Sequence, residues 1–112
     1  SIKFLDSFRF LEEIDLSENE FRKDDGKFMF NSRNLKILKL RNCNLETLDI
    51  NFLDFSNFAR LEYLDFSFNK LKNITYVTFF YNLYNIKSFI LSNNHIENFD
   101  IYDPNNKNAI LI

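Results

Sequence analysis

The sequence predicts an α/β solenoid, with short parallel strands stacked along one wall and mostly loop, turn or short helical returns on the other. Three observations carry this. First, an eleven-residue pattern of apolar slots recurs four times without gaps, at 11–21 (LEEIDLSENEF), 35–45 (LKILKLRNCNL), 61–71 (LEYLDFSFNKL) and 86–96 (IKSFILSNNHI). Second, each copy reads L-x-x-L-x-L-x-x-N/C-x-L with conservative apolar replacements, and its middle alternates with the period of two that a strand requires. Third, Gly and Pro occur once each in 112 residues. That is too few for a sandwich built on tight hairpins, but enough for a chain coiling repeatedly through the same wide bends.

The four copies explain the elements in order. Slots one, four, six and eleven are apolar in every copy, and at 46% apolar composition chance would fill all of them about four times in a million for one fixed frame. Strands are expected at 13–16, 37–40, 63–66 and 88–91, with copies starting 24, 26 and 25 residues apart. Slot nine holds Asn19, Cys43, Asn69 and Asn94. Ahead of the copies, apolar residues recur at minus six and minus three: Leu5 and Phe8, Phe55 and Phe58, Phe80 and Leu83. The second copy departs from this, with Met29 and Ser32 in those places. Asp24 also stands where Leu48, Ile74 and Phe99 stand elsewhere, so Asp24-Asp25-Gly26 reads as an exposed turn. The return near 76–84 holds more aromatics than one spine needs, with Phe79, Tyr81 and Tyr84 in surplus. Ile110, 24 residues after Ile86, is expected to open a fifth copy.

This pattern resembles the leucine-rich repeat family, whose period is about 20–29 residues. The F-x-x-L-x-x-L return resembles the "typical" class found in Toll-like receptors and other extracellular proteins. The resemblance covers nearly the whole chain, about Leu5 to Phe99. It implies a single domain segment over 1–112, a right-handed horseshoe with the parallel sheet on its concave face. At slot nine, a buried Asn can bond the backbone of its own and adjacent turns, and Cys43 can fill that space with a weak S–H donor. With partial repeats at both ends and no polar cap, the chain is expected to be a segment of a longer protein.

Composition and motifs narrow the function. Lys and Arg number 14 against 16 Asp and Glu, scattered singly, for a net charge of -2. No basic stripe follows a phosphate backbone or membrane surface, so no nucleic-acid partner is expected; with no run of about 18 apolar residues, membrane insertion by this segment is not expected either. One cysteine allows no internal disulfide. His95 is the sole histidine, with no second His or Cys placed beside it, and one Gly cannot make a phosphate loop. Neither catalysis nor a cofactor is expected. Asn73-Ile74-Thr75 is an N-glycosylation sequon, which makes Asn73 a candidate glycan site.

The outward slots hold the candidate binding residues. Charges alternate between neighbouring copies, Glu12/Lys36/Glu62/Lys87 and Asp15/Lys39/Asp65, as cross-strand ladders that serve register and solubility by themselves. Four large apolar residues, Ile37, Tyr63, Phe68 and Ile90, face outward among charges. They are either drift in a Phe-rich sequence or the centre of an interface. The reading adopted is a protein-recognition surface of Ile37, Lys39, Arg41, Tyr63, Asp65, Phe68 and Ile90 on the concave face. Its setting is expected to be an extracellular or cell-surface ectodomain. The alternatives are an intracellular scaffold and spacer repeats within a larger solenoid.

Overall fold

The computed structural model describes residues 10–21, 33–46, 59–75, 83–100 and 110–111. Four strands, β1 (Glu13–Asp15), β2 (Ile37–Lys39), β3 (Tyr63–Asp65) and β5 (Ser88–Ile90), fall in slots three to five of the four copies. Each is one residue shorter than expected. With β7 (Ile110–Leu111) they form a five-stranded sheet in the order β1-β2-β3-β5-β7, and every pairing is parallel. The register matches slot to slot, Ile14↔Leu38, Leu38↔Leu64 and Leu64↔Phe89. This register places one apolar side chain of each copy on the same face, as period-two alternation demands.

The hydrogen-bond ladder runs past the strand ends. The slot-six amides of Leu16, Leu40 and Phe66 donate to the carbonyls of Lys39, Asp65 and Ile90 at 2.8–2.9 Å. Two residues on, the amides of Glu18, Asn42 and Phe68 donate to Arg41, Ser67 and Ser92. To aim those amides sideways, slot eight turns left-handed in every copy: Glu18, Asn42, Phe68 and Asn93 have φ of 52–64°. Asn tolerates that region, whereas a residue such as Phe meets its own carbonyl there.

Slot four forms the heart of the core, with Leu38, Leu64 and Phe89 fully buried and Ile14 nearly so. Leu35, Leu61 and Ile86 in slot one pack with them, as do Leu40 and Phe66 in slot six and Leu71 in slot eleven. The Phe66 and Phe89 rings meet edge to face, 5.9 Å between centroids. Leu83, three residues ahead of the fourth copy, is fully buried as its spacing predicts. Leu16, in the same apolar slot six, is only partly buried. It sits beside the edge strand β1, where a neighbouring described repeat covers it from one side alone.

Slot nine works as its chemistry predicts, most fully at Asn69. The buried amide donates to the carbonyls of Leu40 at 2.8 Å and Phe66 at 2.9 Å, while its oxygen accepts the amides of Cys43 at 2.9 Å and Leu45 at 3.0 Å. Asn94 repeats the pattern, donating to Phe66 and Leu91 and accepting from Leu71. Cys43 is a buried free thiol whose Sγ lies 3.4 Å from the carbonyls of Leu16 and Arg41. Asn19, in the edge copy, stays exposed while donating to Leu16.

Two findings correct the sequence reading. The described part of the returns holds a second parallel sheet, β4 (Asn73–Thr75) with β6 (Asn98–Asp100), where loops, turns or short helices were expected. No helix occurs among the described residues. The amides of Glu97 and Asn98 share the carbonyl of Lys72, so stacked returns satisfy each other's backbone as the strands do. Secondly, β7 pairs Ser88↔Ile110 and Phe89↔Leu111. Ile110 therefore occupies slot three rather than slot one, and the spacing narrows to 22 residues. The apolar run Ile110-Leu111-Ile112 has no alternation to fix its register. The expected apolar residues Leu5, Phe8, Met29, Phe55, Phe58 and Phe80, and the turn Asp24-Asp25-Gly26, lie outside the described residues. The same holds for Ser32, Leu48, Phe79 and Tyr81.

Candidate functional site

The outward face of the five-stranded sheet carries a depression of about 730 Å³ between the strand exits of the first three copies. Slot five supplies Asp15, Lys39 and Asp65, slot seven Ser17 and Arg41, and slot eight Glu18, Asn42 and Phe68. Tyr63 completes the wall from slot three. Five of the seven expected residues, Lys39, Arg41, Tyr63, Asp65 and Phe68, thus line one depression. Ile37 and Ile90 do not line it; they are half-buried neighbours in register, Ile37 beside Tyr63 and Ile90 beside Asp65.

Asp65 is the main departure. Its slot faces outward and an exposed carboxylate was expected, yet it is 5% exposed. Its Oδ1 accepts the Ser67 amide at 2.9 Å, and its Oδ2 stands 3.8 Å from Arg41 Nε. Asp15 makes the equivalent bond to the Ser17 amide at 3.0 Å but stays exposed, being on the edge strand. Asp65 is enclosed because β3 is the central strand, with Lys39 and Ile90 on either side. The recurring Asp-x-Ser of the first and third copies was the available signal: a short carboxylate readily reaches an amide two residues on. Hydrogen bonds from the Ser17 hydroxyl and then its amide hold the Asp15 carboxyl below its ordinary range, with Lys39 and Arg41 adding to the effect.

The ion pairs follow the expected ladder only partly. Lys36 meets Glu12 at 3.7 Å, and Lys87 meets Glu62 at 2.7 Å. The Lys87 ammonium, by hydrogen bond and by charge, holds Glu62 below the ordinary carboxylate range. In the second ladder Lys39 pairs diagonally with Glu13 at 3.5 Å instead of with an aspartate, because both aspartates have turned to their serine amides. Phe68 is half exposed, and the Arg41 guanidinium carbon lies 5.4 Å from its ring centroid. A second depression, of about 420 Å³, shares Glu18, Asn42 and Phe68 with the first and includes His95 and Asn93.

Elsewhere, Asn73 is exposed on β4, and its Oδ1 accepts Asn98 Nδ2 at 2.7 Å. Tyr84, one of the surplus aromatics, is 66% exposed. Among the described residues no cluster of three His, Cys, Asp or Glu side chains could hold a metal, and no helix is long and apolar enough to cross a membrane.

Strands repeating at 22–26 residue intervals, with an asparagine or cysteine column behind them, define a repeat protein with an open sheet face. The Leucine Rich Repeat family model matches residues 34–58, the second copy and part of its return, and supports a leucine-rich repeat protein. The parallel sheet fits a solenoid of that type. No curated protein matches the chain.

Proposed function

We propose that the chain is a protein-interaction module of leucine-rich repeats that binds a protein partner through the outward, concave face of its five-stranded sheet. The observation that carries this reading is the grouping of Tyr63, Phe68 and Arg41 with Lys39 and Asp65 in one open depression. Aromatic and arginine side chains in a concavity rimmed by charge are the residues that dominate interface energies. Desolvating Tyr63 and Phe68 contributes more than the rim pairs Glu12–Lys36 and Glu62–Lys87, which stay in water before and after docking.

A photo-crosslinking amino acid at position 63, compared with one at the exposed position 84, tests the face. The expected result is a partner adduct in source-cell extract from position 63 alone, lost when Phe68→Ala is added. Tyr63→Ala and Phe68→Ala should each weaken binding of that partner by more than about 1 kcal/mol. Charge reversal at Lys36 should change it far less. Adducts from position 84 alone would leave the sheet face as spacer and overturn the reading.

An extracellular or cell-surface setting, with Asn73 as a glycan acceptor, belongs to the same proposal. Its support is the exposed sequon asparagine, whose Nδ2 is a different atom from the oxygen engaged by Asn98. Expression through a secretory pathway should give a glycosidase-sensitive mobility shift that Asn73→Gln removes. A secreted chain with no shift would remove Asn73 as an acceptor.

A further inference from the structure

We propose that Arg41 is a carboxylate reader, whose guanidinium takes one acidic side chain of the protein partner docked on the sheet face; this rests on the binding face proposed above. Two groups flank the Arg41 guanidinium. Its Nε edge faces Asp65 Oδ2 at 3.8 Å, and its plane lies near the Phe68 ring at 5.4 Å. Asp65 cannot follow Arg41 outward, because the aspartate is buried and its other oxygen is fixed by the Ser67 amide. The Arg41 side chain is nonetheless 51% exposed, and among the described residues its two Nη atoms have no hydrogen-bond partner. A guanidinium flanked at one edge and one face leaves its other N–H groups to solvent, a fork that a carboxylate matches with two parallel hydrogen bonds.

Charge in the depression limits how much negative charge the ligand can carry. Asp15, Glu18 and Asp65 outnumber Lys39 and Arg41 there, and Lys39 is already paired with Glu13. Those acids repel any anion, and a phosphate or other multiply charged group more strongly than a single carboxylate, so an acidic ligand binds here only through the bidentate match to the Arg41 fork. Phe68 bears on the same contact. Slot eight is left-handed in every copy, and two of the four copies meet that demand with Asn. A phenylalanine with φ of 59° is sterically disfavoured, so its presence points to what its ring does beside Arg41.

The test is selection from a random-peptide display library on the full chain, followed by fluorescence anisotropy with the enriched peptide and its amide counterpart, Glu→Gln or Asp→Asn. The expected result is enrichment of peptides sharing one acidic position, with binding weakened about tenfold or more by the amide change. Arg41→Lys should cause a comparable loss although it keeps the charge. Phe68→Asn should raise the melting temperature while weakening the same peptide. Enriched peptides without a shared acid, lost with Tyr63→Ala and retained with Arg41→Lys, would overturn the carboxylate proposal and leave the binding face standing. No enrichment, or peptides indifferent to both changes, would overturn both.

Discussion

The amide of Asn69 spans two repeats: it donates to Leu40 and Phe66, and it accepts the amides of Cys43 and Leu45. Four buried backbone groups, on the turn that leaves each strand, are satisfied by one side chain. Cys43 stands in the same column with a single weak donor, and its burial raises the thiol's pKa above the ordinary range. Both burial and the scarcity of thiolate slow attack on a reagent. A polar thiol reagent should therefore label Cys43 far more slowly in the folded chain than in denaturant, even at mildly alkaline pH; equal rates would show that the column is open. Deeper in the core, Leu64 is fully enclosed between Leu38 and Phe89. Leu64→Ala leaves a cavity that two rigid neighbours cannot close, and should cost on the order of 2–5 kcal/mol in denaturant unfolding. A loss below about 1 kcal/mol would place Leu64 outside the central packing.

Strands of three residues cannot persist singly, so each depends on the ladder to its neighbour. The side-chain pairs above that ladder set register more than stability. Folded-state pKa values of Asp15 and Glu62 are depressed, so the stability they add is present above the ordinary carboxylate range and is lost as pH falls through it and below. Asp15 is exposed and Glu62 partly so, so the loss is small, and added salt should diminish the Glu62–Lys87 part at neutral pH. A melting temperature that rises on acidification to pH near 3 would contradict the sign of this linkage. At this scale the sequence was legible wherever apolar residues alternate. Strands β1, β2, β3 and β5 fall within one residue of expectation because slots four and six must both face inward. The pair β4 and β6 was not legible, since Asn-Ile-Thr and Asn-Phe-Asp hold one apolar residue each and define no period. Asp65 was misread for a different reason. Its slot does face outward, but burial there depends on how many strands lie on either side, which a single copy of the motif does not encode.

Across the molecule, burial follows position in the stack. Slots one, four, six and eleven are all enclosed in the second and third copies, whereas Leu11, Leu16 and Phe21 of the first and Ile96 of the fourth remain partly open. Each described strand of the large sheet pairs only with adjacent copies, so no contact between distant strands holds the stack together as one block. The candidate site lies at strand exits of the three copies nearest β1, and its parts were brought together by the register the motif predicted. That arrangement has a mechanical consequence. Tension applied along the stack loads the outermost described copy first, whose strand pairs with one neighbour among the described residues. Under force the chain should peel copy by copy rather than rupture at once, each event releasing about 25 residues, or on the order of 90 Å of contour length. The asparagine column would set the height of each step, and the copies bearing Asn69 and Cys43 would yield after those at the edges.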